Sequence, residues 1–284
     1  MSVYDSLSTL VVPPSMSCVD GDDFALLDTG AATGPSRIII FGCEKNFDAM
    51  SRAQTWLADG TFKIAPSLWK QVFTVHCCIN GFTIPVFYAL LPNKKPASYR
   101  VVWEFLLTKV DINLSHVTLM MDFEKASYET ALEKLPGITI GGCYFHLKQA
   151  MHRNLQELGL APKYNQDKDL RFRMHRLGAL AFLPADHIPD VFDALKSEWG
   201  PDEQLFLGYF ERTWVGKAGK RAGQRGLPQF SPTLWSVHDR VLNGQFLTNN
   251  AAEAFHGNYH TWLAQGKHPP SQSSHKASHS SSGW

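Results

Sequence analysis

Hydrophobic and polar positions change rhythm twice along this chain. The first stretch, 1–36, is rich in Ser, Asp, Pro and Gly and shows little periodicity, after which Arg37-Ile-Ile-Ile-Phe41 opens a region of short apolar runs. Three runs rich in β-branched and aromatic residues, 55–64, 70–79 and 82–91, predict strands. Asn80-Gly81 between the last two is the strongest hairpin signal in the chain, because a two-residue turn of this kind needs positive φ at both positions. Ser98 is then placed to cap a helix whose Val101, Val102, Phe105, Leu106 and Val110 form one apolar stripe. Val117 to Met121 reads as a short buried strand ending at Asp122; a helix at 124–135 and a strand at 138–145 follow. The order β-β-β-α-β-α-β predicts an α/β fold whose mixed sheet is antiparallel first, parallel later, and covered by helices.

Beyond Cys143 the period turns helical. Leu147, Met151, Leu155 and Leu158 make a stripe closed by Gly159, with Pro162 beyond. Helical patterns recur at 168–182, 188–199 and 202–214, and another starts at Ser231-Pro232, a capping residue followed by proline at the first helical position. The Gly- and Arg-rich stretch 216–228 interrupts them, and a last helix is expected at 250–263. The chain thus divides into a loosely ordered acidic arm (1–36), a core (37–146), an all-helical insertion (147–247), a further core helix (248–264) and a disordered Ser/His-rich tail (265–284).

Composition narrows the class without choosing a function. With 284 residues and 44% hydrophobic, the chain can bury a sizeable core. A net charge of +1 does not announce a nucleic-acid binder, since neutralising phosphates takes a concentrated basic face. Charge is uneven, however: 1–36 holds five Asp and no Lys or Arg, while 212–225 holds Arg212, Lys217, Lys220, Arg221 and Arg225 and no acid. Lys217, Lys220, Arg221 and Arg225 are candidate DNA contacts, with a plain solvated face as the alternative. The five cysteines, Cys18, Cys43, Cys77, Cys78 and Cys143, are scattered and odd in number, which fits a reducing compartment. The longest apolar run, Phe82 to Leu91, is far too short to span a bilayer, so a soluble, non-secreted protein is expected.

Three carboxylates stand out, each with a bland alternative. Asp59 precedes Gly60, ordinarily a tight turn, yet apolar residues continue on both sides as if the acid stood in mid-strand. Asp122 lies between strand and helix, where an N-cap or a site residue would lie. Glu253 has capping-box spacing from Asn250. Together the three could flank two divalent ions, Mg²⁺ or Mn²⁺, that activate an attacking oxygen and steady a leaving one. Cys143 and His146 offer two ligands where structural zinc takes four, and no finger-like spacing supplies the others, so a local lining role is expected.

The stretches Leu57-Ala-Asp59-Gly-Thr-Phe-Lys-Ile-Ala-Pro66, Tyr88-Ala-Leu-Leu-Pro92, Met121-Asp-Phe-Glu-Lys-Ala126, Gly142-Cys-Tyr-Phe-His-Leu-Lys-Gln-Ala150, Ala179-Leu-Ala-Phe-Leu-Pro184 and Thr248-Asn-Asn-Ala-Ala-Glu253 resemble the MULE transposase domain of Mutator-like elements. The resemblance runs over about 37–264. It implies an RNase H-like fold interrupted by a helical insertion, Asp59, Asp122 and Glu253 as a catalytic, metal-binding triad, and Cys143 and His146 as a Cys-x-x-His signature. It further implies cut-and-paste transposition on double-stranded DNA, both transposon ends and target, and hence a nuclear location; a homo-oligomer is compatible with it. The alternative is a catalytically inactive, transposase-derived module that binds DNA or a protein.

Overall fold

The computed structural model describes residues 6–14, 18–19, 22–62, 64–219, 221 and 224–248. Nine strands and ten α-helical segments are found among them. Two very short strands, β1 (Cys18–Val19) and β2 (Asp22–Asp23), pair with each other. The others form one seven-stranded sheet: β3 (Ala25–Asp28), β4 (Ile39–Gly42), β5 (Thr55–Thr61), β6 (Gln71–Ile79), β7 (Phe82–Leu91), β8 (Thr118–Met121) and β9 (Thr139–Gly142). Their order is β3-β4-β7-β6-β5-β8-β9. Every pairing from β3 to β5 is antiparallel, and β5-β8 and β8-β9 are parallel, so the sheet changes character at β5.

The hairpin between β6 and β7 turns on Asn80 (φ 51°) and Gly81 (φ 79°), the left-handed pair that the sequence predicts. Asp59-Gly60, the alternative turn, lies instead inside β5, with Asp59 opposite Thr74 and Gly60 opposite Phe73. Sterics explain the glycine: a Cβ there would stand 2.7 Å from Oε1 of Gln71, whose side chain lies across the strand and donates from Nε2 to Tyr99 Oη at 2.8 Å.

Helix α1 (Glu44–Arg52) packs on β6 and β7, and α2 (Pro96–Lys109) packs against α3 (Lys125–Lys134). Ser98 is not the cap of α2. Lys95 holds that place and Ser98 sits in the first turn, where its hydroxyl donates to Asn93 Oδ1 at 3.0 Å. The main core joins this sheet face to the helices that follow, running from Trp56, Val75 and Phe87 through Trp103 and Leu119 to Leu177, Phe210 and Trp235. The alternation of β5 sends Trp56 and Ala58 into that core and Leu57 to a smaller cluster with Cys78 and Met120.

After β9 the described chain is helical. α4 (Tyr144–Glu157) begins three residues before the expected stripe and ends at Gly159 (φ 71°), whose N–H bonds to Gln156 O while Leu160 N–H reaches Leu155 O. α5 (Ala161–Gln166) is an element the sequence reading lacks: Pro162, read as a stop, lies in its first turn. α6 (Lys168–Ala179), α7 (Ile188–Leu195), α8 (Gln204–Phe210), α9 (Pro232–Trp235) and α10 (His238–Leu242) follow, with Ser231 at the N-cap of α9 as expected. Glu211–Val215 continues α8 as a π-helical turn. No helix among the described residues is long and apolar enough to cross a membrane.

Part of the stretch expected to form a loose arm is joined to the sheet. β3 extends the edge at β4, Leu7 is buried beside Ile39 and Trp69, and the buried Arg37 pairs with Asp28 at 2.5 Å while donating to the carbonyls of Leu7 and Leu10.

Candidate active site

The parallel pairing of β5 and β8 brings two of the singled-out acids together. Trp56 is level with Leu119 and Leu57 with Met120; carried two residues further, that register sets Asp59 beside Asp122. Asp59 is buried within its strand, whereas Asp122 follows the last residue of β8 and is half-buried. The two carboxyl groups feel each other. Burial, with the Asp59 charge second, pushes the Asp122 carboxyl up to about 7 from its ordinary value of 3.8. Asp122 is not the N-cap of α3, a place taken by Glu124; its Oδ1 accepts the Glu124 N–H at 3.2 Å and closes a local turn ahead of the helix.

Two charged groups that the sequence reading did not assign complete the described part of the site. Glu124 adds a further negative charge next to Asp122 and accepts an ion pair from Lys94 Nζ at 2.5 Å. The same ammonium lies 4.3 Å from the centroid of the Phe62 ring, and its charge opposes the rise of the Asp122 pKa. Lys94 comes from the loop after β7 and Phe62 from the end of β5. Only the folded sheet brings them to Glu124, although Met121-Asp-Phe-Glu-Lys already displayed the glutamate. Tyr99, on α2, senses the same charge: burial first, then Glu124 and Asp122, push its hydroxyl well above its ordinary range, while Gln71 partly offsets them.

Between the two Asp122-turn acids, Phe123 points the other way and locks the turn. Its ring makes edge-on contacts with Trp214 (4.7 Å) and Phe230 (5.1 Å). A Cβ on Gly142 would come within 2.5 Å of that ring, so β9 needs glycine there to let Phe123 pass. Gly141 is crowded similarly by Met120 Sδ and the guanidinium of Arg240. Arg240 reaches in from α10, donates to Gly142 O at 2.9 Å, and has its pKa brought down to about 10 by burial.

Cys143 lies one strand over from Asp122, its N–H donating to Met121 O at 2.9 Å, and is fully buried; His146 is half-buried one turn into α4. Among the described residues no three His, Cys, Asp or Glu side chains group as a metal cluster. Glu253 and Lys220 lie outside the described residues, as do the helix expected at 250–263 and the tail from 265. Near the end of the described residues, Leu247 O accepts the N–H of Tyr144, the residue after Cys143, at 3.0 Å.

The basic residues of the Gly- and Arg-rich stretch divide into two kinds. Lys217 and Arg221 are exposed. Arg225 turns inward, pairing with Asp193 and Glu211 and donating to Gly216 O at 2.6 Å. Lys196 joins the same network through Glu211 at 2.5 Å. Arg225 therefore fixes the base of this loop, whose strands bridge Ala218 to Arg225.

No curated protein and no solved structure matches the chain. Residues 55–150, from the start of β5 to the middle of α4, match the model of the MULE transposase domain, and this segment contains Asp59, Asp122, Cys143 and His146.

Proposed function

We propose that this chain is the catalytic domain of a Mutator-like transposase, which cleaves double-stranded DNA at transposon ends and joins the freed 3′-hydroxyl to target DNA. The observation that carries the proposal is the adjacency of Asp59 and Asp122 across the β5-β8 pair, inside the segment matched by the MULE transposase domain. The strand order β7-β6-β5-β8-β9, three antiparallel strands followed by two parallel to the first, supports reading the sheet as RNase H-like and residues 147–247 as a helical insertion.

The acid pair suits a divalent cation. Two carboxylates held side by side, one with its pKa pushed up to about 7, present excess negative charge that hard oxygen-seeking ions such as Mg²⁺ or Mn²⁺ would neutralise. Asp59 and Asp122 would hold the ions, with Glu253 as the proposed third ligand; bound metal would polarise the phosphodiester and favour ionisation of the attacking oxygen. What the chain itself contributes is rigidity and orientation. β5 holds Asp59 opposite Thr74 of β6 and pairs with β8 just before it, the Glu124 N–H orients Asp122, and the half-buried Phe123, packed on Trp214 and Phe230, keeps that turn from drifting. The exposed Lys217 and Arg221 are proposed to contact the DNA backbone, with Lys220; Arg225 serves as their anchor.

The test is Mg²⁺- or Mn²⁺-dependent nicking and strand transfer on a labelled duplex, with Asp59→Asn, Asp122→Asn and Glu253→Gln run alongside. Activity in the wild type that each substitution lowers at least a hundredfold is the expected result. A folded wild type as inert as the three variants would remove the enzyme reading and leave a transposase-derived binding module.

A further inference from the structure

Lys94 is a cation beside the acid turn: its ammonium pairs with Glu124 and its charge is felt by Asp122. Lys94 has little to do for the fold. Its side chain is 35% exposed and that of its partner Glu124 25%, and a single ion pair that water reaches adds little to stability. Its placement is nevertheless well defined. Asn93 Oδ1 accepts both the Lys95 N–H at 2.9 Å and the Ser98 hydroxyl at 3.0 Å, which fixes the loop that carries Lys94 to the first turn of α2. The ammonium then lies over Phe62, a ring 48% exposed at the end of the strand that bears Asp59. An exposed aromatic ring and a movable cation side by side are the two parts that single-strand and backbone recognition uses: a face for a sugar or base, and a charge for a phosphate.

We propose that Lys94 and Phe62 form a nucleotide subsite at the lip of the carboxylate pair, taking the DNA phosphate and sugar next to the phosphodiester being cut. Glu124 acts as the resting place of the Lys94 ammonium while no DNA is bound. When a phosphate arrives, the ammonium exchanges the Glu124 carboxylate for a phosphate oxygen and no bond is made or broken other than these ion pairs and hydrogen bonds. The placement offsets the repulsion that Asp59, Asp122 and Glu124 would otherwise exert on the substrate. This subsite rests on the reading of Asp59 and Asp122 as the place where DNA is cut.

Binding and cleavage can be read separately. The full chain is titrated onto a short fluorescein-labelled DNA duplex with a single-stranded end, in Ca²⁺ and over a series of salt concentrations, with anisotropy as the readout; thermal melts verify that each variant folds. Lys94→Met should weaken binding roughly fivefold to tenfold and reduce the salt slope by about one, because one phosphate contact is lost, while Lys94→Arg keeps the slope. Phe62→Ala should weaken binding with the slope unchanged, since stacking is uncharged. Glu124→Gln should tighten binding by releasing the ammonium, and that gain should vanish in the Lys94→Met/Glu124→Gln double variant. A folded Lys94→Met protein with wild-type affinity and slope would overturn the subsite. So would a Glu124→Gln gain that survives without Lys94, which would mark a general charge effect. Absence of Mg²⁺-dependent nicking, by contrast, would sink the transposase reading and leave the binding result to stand on its own.

Discussion

Asp122 is a carboxyl group held in a place that disfavours its own charge. Its pKa, pushed up to about 7 by burial and by Asp59, lies above the ordinary 3.8, so the folded chain holds more protons than the unfolded chain between roughly pH 4 and 7. The stability associated with that proton is complete below the lower value and is lost as pH rises through the upper one. Asp122→Asn should therefore stabilise the metal-free protein at pH 8 by about 1–3 kcal/mol and flatten the dependence of thermal unfolding on pH across this window. Saturating Mn²⁺ should raise the melting temperature of the wild type and not that of the variant. A variant melting with the wild type at every pH would show that the acid pair stores no such repulsion. The counterpart at the sheet edge has the opposite sign. Arg37, chiefly through its hydrogen bonds, holds the Asp28 carboxyl below its usual range, and the stability Asp28 contributes is lost as pH falls through that lowered value. Asp28→Asn leaves the Arg37 guanidinium buried without its counter-charge and should cost about 2 kcal/mol in chemical denaturation at neutral pH. No change in midpoint would show that the Leu7 and Leu10 carbonyls suffice for that charge.

Among elements, the hairpin between β6 and β7 was the most legible in the sequence. Its turn is set by two adjacent residues, and Asn80-Gly81 states the conformation locally; Gly81→Val should therefore cost about 1–2 kcal/mol in equilibrium unfolding, with little effect if the turn can relax to another type. Strands β5 to β9 and the stop at Gly159 are legible for the same reason, each being written in a few neighbouring positions. Other elements depend on which of two uses a residue is put to, or on a distant partner. Ser98 has the chemistry of a cap but finds Asn93 as its partner from inside the first turn, and Pro162 can end one helix or begin another, depending on what packs beyond it. β3 is short and only half-buried, so it lacks a run that would identify it; its place comes from pairing with β4 and from Arg37. The candidate site shows the same division. Asp59 and Asp122 were visible as residues, but their adjacency is a property of a parallel pairing, and Lys94 and Phe62 acquire meaning only once β5, β7 and α3 are assembled.

Across the whole molecule, the helical layer is tied to the acid turn by aromatic contacts rather than by charge. Phe123 meets Trp214 and Phe230, Trp214 meets Trp235, and Trp235 meets Phe210, so the π-helical turn Glu211–Val215 and the loop it supports share a packed unit with Asp122. Gly142→Ala would press on Phe123 from the sheet side. The expected result is a loss of roughly 1–3 kcal/mol in stability together with weaker Mn²⁺ binding, measured by calorimetry. Metal affinity unchanged in a destabilised variant would show that Phe123 supports the fold without positioning Asp122.

The meeting of β5 with β8 also sets an order of events during synthesis. The β6-β7 hairpin, closed by a two-residue turn, can form as soon as its own residues are available, whereas β8 reaches β5 only after the chain has passed through β6, β7 and α2. A nascent or truncated chain ending before Thr118 would carry Asp59 with no neighbouring strand to supply Asp122. Divalent-ion binding would then begin only when the parallel half of the sheet has closed, and the proposed DNA chemistry would be silent in any partly made molecule.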